Sequence, residues 1–149
     1  MREEHTDGEE AIRPLGFSLL TGLYGFFFMV SVTTFGNPFP FFGSIYLNGT
    51  AKILVFVDSL VCLYLIFGII QRQRLTWHLL LAYNLLQIVN IVINLSLLTA
   101  PRLEQALGTP VNAEALTINN TAAALALLLL TQYIYRHREY FSNRSRYLF

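Results

Sequence analysis

The sequence predicts an all-α integral membrane protein, a four-helix bundle running up-down-up-down with both termini on the cytoplasmic side. Three observations predict it. Charged residues are only 13% of the 149-residue chain, against 54% hydrophobic ones, where a soluble domain carries about 25% charged residues. Most of those charges crowd into the first 13 residues, one short internal turn and the last 14 residues. Between them lie four apolar runs, each near the roughly 20 residues that a helix needs to cross the hydrocarbon core. Mean hydropathy is +0.50.

The elements follow in order. Residues 1–13 are acidic (Glu3, Glu4, Asp7, Glu9, Glu10) and predict a solvated, disordered cytoplasmic tail. They lack the basic opening of a cleaved signal peptide. The transmembrane domain is expected over residues 14–135. Its first span is predicted at 14–35, with Pro14 suited to the first helical turn. Ser18, Gly22 and Gly25 fall at helical spacing on it, a small-residue face that lets backbones approach closely in lipid, and this is the expected packing face of the helix. The segment 36–50 has two prolines, four large aromatics and no charge. It is expected either to lie in the membrane interface or to fold over the outer mouth of the bundle as a lid. The second span is predicted at 51–70. The tight turn Gln71–Leu75 makes the second and third helices antiparallel neighbours. The third span is predicted at 76–100, stopped by Pro101, and the fourth at 113–135. Residues 136–149 form a basic cytoplasmic tail.

Orientation follows from the basic residues, which favour the cytoplasmic side. Arg2, Arg13, Arg72, Arg74, Arg136, Arg138, Arg144 and Arg146 fall on one side; only Lys52 and Arg102 fall on the other. The expected location is therefore the cell membrane (plasma or inner), as a multi-pass protein. Trp77, Tyr133, Tyr135 and Tyr140 sit where an interfacial aromatic belt would lie.

Polar residues inside a span must face protein or a water-filled cavity. In the third span Thr76, Tyr83, Gln87, Asn90 and Asn94 fall within about 60° of arc at 100° per residue, with Asn84 on the edge. The second span contributes Asp58, with Ser59 and Cys62 nearby. The fourth contributes Asn119 and Asn120. At about 1.5 Å rise per residue, these groups reach a common level in the outer half of the membrane. One reading is helix-packing glue. The other is a ligand-binding layer of Asp58, Tyr83, Gln87, Asn90, Asn94, Asn119 and Asn120, able to take an ion, a proton, a lipid or a quinone.

Other chemistries find little support. Cys62 is the lone cysteine, so no disulfide can form within the chain. His5, His78 and His137 are scattered and do not make a metal set or a haem pair. No cofactor and no metal are expected. No paired carboxylates or Ser–His arrangement share one level, so no catalytic residues are assigned and the chain is not expected to be an enzyme. A net charge of +1 without a basic–aromatic patch excludes nucleic acid as a partner.

The opening Arg13-Pro14-Leu15-Gly16, followed by Leu19-Leu20 and Leu23-Tyr24, resembles the start of small, uncharacterised prokaryotic multi-pass membrane proteins. The resemblance implies a bacterial or archaeal source and carries no assigned chemistry. The expected role is thus a non-enzymatic accessory or assembly subunit, or a binding module, in contact with the lipid bilayer and with another membrane protein or a second copy of itself. The alternative is a transporter-like or ligand-binding protein built on the layer around Asp58.

Overall fold

The computed structural model describes residues 15–143. The expectations placed on the acidic head, on Pro14 and on Arg144 and Arg146 lie outside the described residues. In chain order the elements are α1 (Leu15–Thr33), β1 (Phe39–Phe41), β2 (Ser44–Tyr46), α2 (Asn48–Ile70), α3 (Arg74–Leu97), α4 (Ala100–Leu107), α5 (Ala113–Arg136) and a single 3-10 turn, Arg138–Tyr140. The fold is all-α apart from the short hairpin. Four of the helices, α1, α2, α3 and α5, are long and apolar enough to cross a membrane. They expose many large apolar side chains, Leu19, Phe26, Ile53, Leu85 and Leu129 among them, a surface suited to lipid rather than water.

Helix boundaries have local causes. Continuing α3 through Pro101 would drive the proline ring into the carbonyl of Leu97. The helix therefore closes at Leu97, Leu98 and Thr99 turn extended, and a new helix, α4, starts with Pro101 in its first turn. The third span thus ends three residues earlier than expected, and the connection after it is an amphipathic helix instead of a loop. Gly108 ends α4 in the left-handed region, at φ 68°, which glycine occupies without steric cost. Asn112 caps α5, its side-chain oxygen accepting from the N–H groups of Glu114 (2.9 Å) and Ala115 (3.1 Å). At the other end of the sequence order, α2 begins at Asn48, three residues ahead of the expected start.

α1 packs along α2 and α3 along α5, with lighter contact between α2 and α3. Lipid tails solvate leucine as well as a protein core does, so close packing and hydrogen bonds must choose the partners. α2 and α3 approach closely beside the Gln71–Gln73 turn. Gly68 there is so close to the side chain of Thr76 that no Cβ would fit. The main core lies at this turn end: Phe17, Leu20 and Tyr24 of α1, Leu65 and Ile69 of α2, Leu80 of α3, Ile134 of α5, and Phe141 beyond it.

This corrects the expected packing face of α1. Ser18 and Gly22 are exposed, and a Cβ added at Gly22 or Gly25 would meet nothing within 4 Å. The helix docks instead through Phe17, Leu20 and Tyr24. The physical reason is that α2 and α3 present large aliphatic side chains at this level, which aromatic rings fill better than a bare backbone would.

Residues 137–143, after α5, fold back onto the bundle. Tyr140 stacks on Phe17 (ring centroids 3.4 Å apart), and the Arg72 guanidinium lies 4.6 Å over the Tyr140 ring. Asn143 locks onto the α2–α3 turn: its carbonyl accepts from Arg74 N–H (2.8 Å), and its own N–H donates to Arg72 O (3.1 Å).

The segment between α1 and α2 is a β-hairpin pairing Phe39 with Tyr46, Pro40 with Ile45 and Phe41 with Ser44. Its two turn residues, Phe42 (φ 46°) and Gly43 (φ 75°), both take positive φ, as a two-residue type I′ turn requires. Such a conformation is strained for a phenylalanine, so outside contacts must hold it.

Candidate functional site

The polar residues of the spans sort into three groups. The first centres on Asp58, half-buried on α2. Its Oδ2 accepts a hydrogen bond from the Ser31 hydroxyl of α1 at 2.5 Å. Its Oδ1 accepts from the Tyr83 hydroxyl at 2.9 Å and from Gln87 Nε2 at 3.2 Å, both on α3. The Cys62 sulfur lies 3.2 Å from the same Tyr83 oxygen, so the thiol can donate to Tyr83 while Tyr83 donates to Asp58. Helices α1, α2 and α3 thus converge on one carboxyl group.

That group stands between two cavities. On one side an apolar groove of about 730 Å³ runs between α2 and α3, with Val57, Val61 and Leu86 in its walls and Phe39 and Phe41 of the hairpin among its lining residues. Asp58, Tyr83 and Gln87 also line it. On the other side a cavity of about 180 Å³ reaches Ser31, Tyr83, Gln87 and Leu127. Tyr83 and Gln87 belong to both.

The second group holds the hairpin. Asn90 Oδ1 accepts from the N–H of Phe42 (2.8 Å), and Asn94 Oδ1 accepts from the N–H of Gly43 (2.7 Å). Asn94 Nδ2 donates to Pro40 O and to Asn90 Oδ1, each at 3.3 Å. These contacts hold the strained turn residues in place, and they seat the hairpin on α3 at the end of the bundle opposite the Gln71–Gln73 turn. Asn94→Leu removes the acceptor for Gly43 N–H, a bond worth about 1–1.5 kcal/mol. Hydrogen–deuterium exchange at Gly43 should accelerate roughly tenfold, since local opening follows that free energy, while the amides of α2 keep their protection. An unchanged rate at Gly43 would show that the asparagines do not fasten the turn.

The third group is a fully buried pair. Tyr24 OH donates to Asn84 Oδ1 at 2.7 Å, and Asn84 Nδ2 has no hydrogen-bond partner among the described residues.

The sequence pattern led to one layer shared by three helices, with α5 supplying Asn119 and Asn120. The structure separates the layer. Asn120 Nδ2 donates to Leu116 O of its own helix (2.8 Å) and lines a small hollow of about 130 Å³ beside Asn94 and Pro40. Asn119 is exposed and lies to the side of the Leu116–Leu127–Ile134 stripe that α5 turns inward. Neither reaches Asp58. Helix α1 supplies the third arm instead, through Ser31. Sequence reasoning passed over Ser31 and Tyr24, although a signal was present. Phe17, Tyr24 and Ser31 recur every seven residues and so share one helix face.

His137 Nδ1 lies 2.9 Å from Tyr133 O, and His78 is exposed at the start of α3. Among the described residues, no group of three or more His, Cys, Asp or Glu side chains could hold a metal ion. Comparison with protein-family models, with curated proteins and with solved structures finds no match to this chain.

Proposed function

We propose that the chain is a multi-pass protein of the cell membrane, with both termini cytoplasmic, and that it is a non-enzymatic binding module for a lipophilic cation taken up from the bilayer into the α2–α3 groove. The carrying observation is the setting of Asp58. Three donors, from α1 and α3, converge on its two oxygens. No basic side chain is within ion-pair reach of it among the described residues. A carboxylate at membrane depth without a counter-charge marks a functional site. The complement to an apolar groove with one acidic side chain in its wall is an apolar body carrying a positive charge. The eight-to-two distribution of basic residues supports the orientation.

A second reading, an accessory or assembly subunit, is favoured by the Ser18–Gly22–Gly25 face of α1: Ser18 is exposed, among the described residues nothing stands within 4 Å of a Cβ added at Gly22 or Gly25, and such a face suits close approach of another membrane helix.

One experiment separates the two. The full chain is released into mild detergent and studied by native mass spectrometry with tetraphenylphosphonium as the cationic probe and decylubiquinone as a neutral one. Retention of the cation by the parent chain, reduced at least about tenfold in Asp58→Asn (the loss of roughly 1.4 kcal/mol from a charge-assisted contact), supports the binding module. Equal retention by both chains, or preference for the neutral probe, overturns it. A stoichiometric second protein or a defined oligomer without bound cation supports the subunit reading.

A further inference from the structure

A second hollow lies at the opposite, turn end of the bundle, outside the Asp58 site. It measures about 700 Å³ and is lined by Arg74, Trp77 and His78 of α3 and by Arg138, Glu139, Phe141 and Ser142 beyond α5. We propose that it is a binding site for a phosphate-bearing anion, with the head group of an anionic phospholipid as the source the surroundings favour.

The site is built by the tertiary fold. Arg74 and His78 stand one turn apart on α3, so their side chains share a face. Arg138 comes from the turn after α5, the helix packed along α3. It is brought opposite them because the segment after α5 is pinned at two points. Phe141 is buried in the core, and Asn143 is bonded to the backbone of Arg72 and Arg74. Trp77 is fixed as well, its indole N–H donating to Ile134 O at 3.1 Å. The hollow therefore has a rigid floor and two guanidinium groups at its edge.

Its charge is unbalanced. Arg74 and Arg138 are exposed, and neither is engaged in an ion pair among the described residues. Glu139 is the one acid in the lining, so two arginines against one glutamate leave +1 with His78 neutral. Guanidinium groups match phosphate oxygens in geometry and donate to them in pairs. Ser142 adds a hydroxyl.

The surroundings favour a lipid over a free ion. Leu75 and Leu79, next to Arg74 and His78, are exposed along α3, where acyl chains would lie below a head group held at the hollow. On the orientation proposed above this is the cytoplasmic leaflet, in which anionic lipids attract basic side chains.

The test uses the full chain in nanodiscs of phosphatidylcholine with increasing phosphatidylglycerol, scored by the phosphatidylglycerol that stays bound in native mass spectra. A parallel arm measures binding of inorganic phosphate in detergent. Arg74→Gln with Arg138→Gln should lower retention of the anionic lipid about thirtyfold, the effect of two basic contacts near a membrane surface. Arg102→Gln with Arg136→Gln removes the same charge elsewhere and should leave retention within about twofold of the parent, because neither residue lines the hollow. Loss confined to the lipid arm identifies the lipid head group. Loss confined to the phosphate arm keeps the anion site and assigns it to a soluble phosphate. Equal losses in both double variants, or none in either, overturn the site. A thermal melt of each variant excludes unfolding as the cause.

Discussion

Gly68→Ala destabilises the bundle, although alanine is the better helix former. In an exposed helix interior, replacing glycine by alanine gains about 0.5–1 kcal/mol. At Gly68 the new Cβ would meet the Oγ1, Cβ and Cγ2 atoms of Thr76. The Thr76 Cβ is attached directly to the α3 backbone and cannot swing aside, so α2 and α3 must separate. Overpacking of this kind costs about 1–3 kcal/mol, which exceeds the propensity gain. The separation would also pull on the α2–α3 turn, where Gln73 N–H donates to Gly68 O at 3.0 Å. Denaturant titration in detergent should show Gly68→Ala unfolding at lower denaturant than the parent. Gly68→Leu should be worse still. Gly22→Ala is the control, since nothing stands within 4 Å of the added atom, and it should be neutral or slightly stabilising. If Gly22→Ala were the damaging change and Gly68→Ala harmless, the small-residue face of α1 would be the internal packing face after all.

The second large effect belongs to Tyr24 and Asn84. Both are fully buried, and among the described residues the 2.7 Å bond between them is the sole hydrogen bond of the Asn84 side chain. Tyr24→Phe keeps the ring and its packing against Phe27 and Tyr83, but it leaves the whole carboxamide without a partner. A buried polar group in that state costs about 1–3 kcal/mol. Asn84→Leu alone orphans the Tyr24 hydroxyl and should cost a similar amount. The double variant removes both polar ends and should recover most of the loss, because apolar replacement of both partners can be nearly neutral. Unfolding free energies for the four chains form a double-mutant cycle. Additive losses in the double variant would show that the bond does not couple the two residues.

The spans were legible in the sequence because the bilayer imposes a simple rule. A backbone that crosses hydrocarbon must satisfy its own polar groups and carry about 20 apolar residues, so long uncharged runs stand out. The polar stripe on α3 was legible for a related reason. A 3.6-residue period converts spacing directly into a face, and Tyr83, Gln87, Asn90 and Asn94 do turn toward other parts of the chain. Less of the site itself could be read. Asp58 stood out by its charge, but its partners depend on how α1 is rotated, and a nearly all-apolar helix offers two competing faces. The small residues suggested one face; the rings of Phe17 and Tyr24 took the other and brought Ser31 to the carboxylate. In α5, rotation likewise carried Asn119 away from the layer.

By itself, then, the sequence determined the number, the approximate extent and the apolar character of the membrane-length helices, since those depend on composition and period alone. Tertiary structure decided everything that depends on which faces meet. It split the polar layer into a carboxylate cluster, a hairpin clamp and a buried pair. It also folded the segment after α5 under Arg72 and against Phe17, placing Arg138 across from Arg74. The physical reason is that hydropathy says only that a side chain can lie in lipid or in protein. The choice between them is made by close packing and hydrogen bonds between residues far apart in the chain.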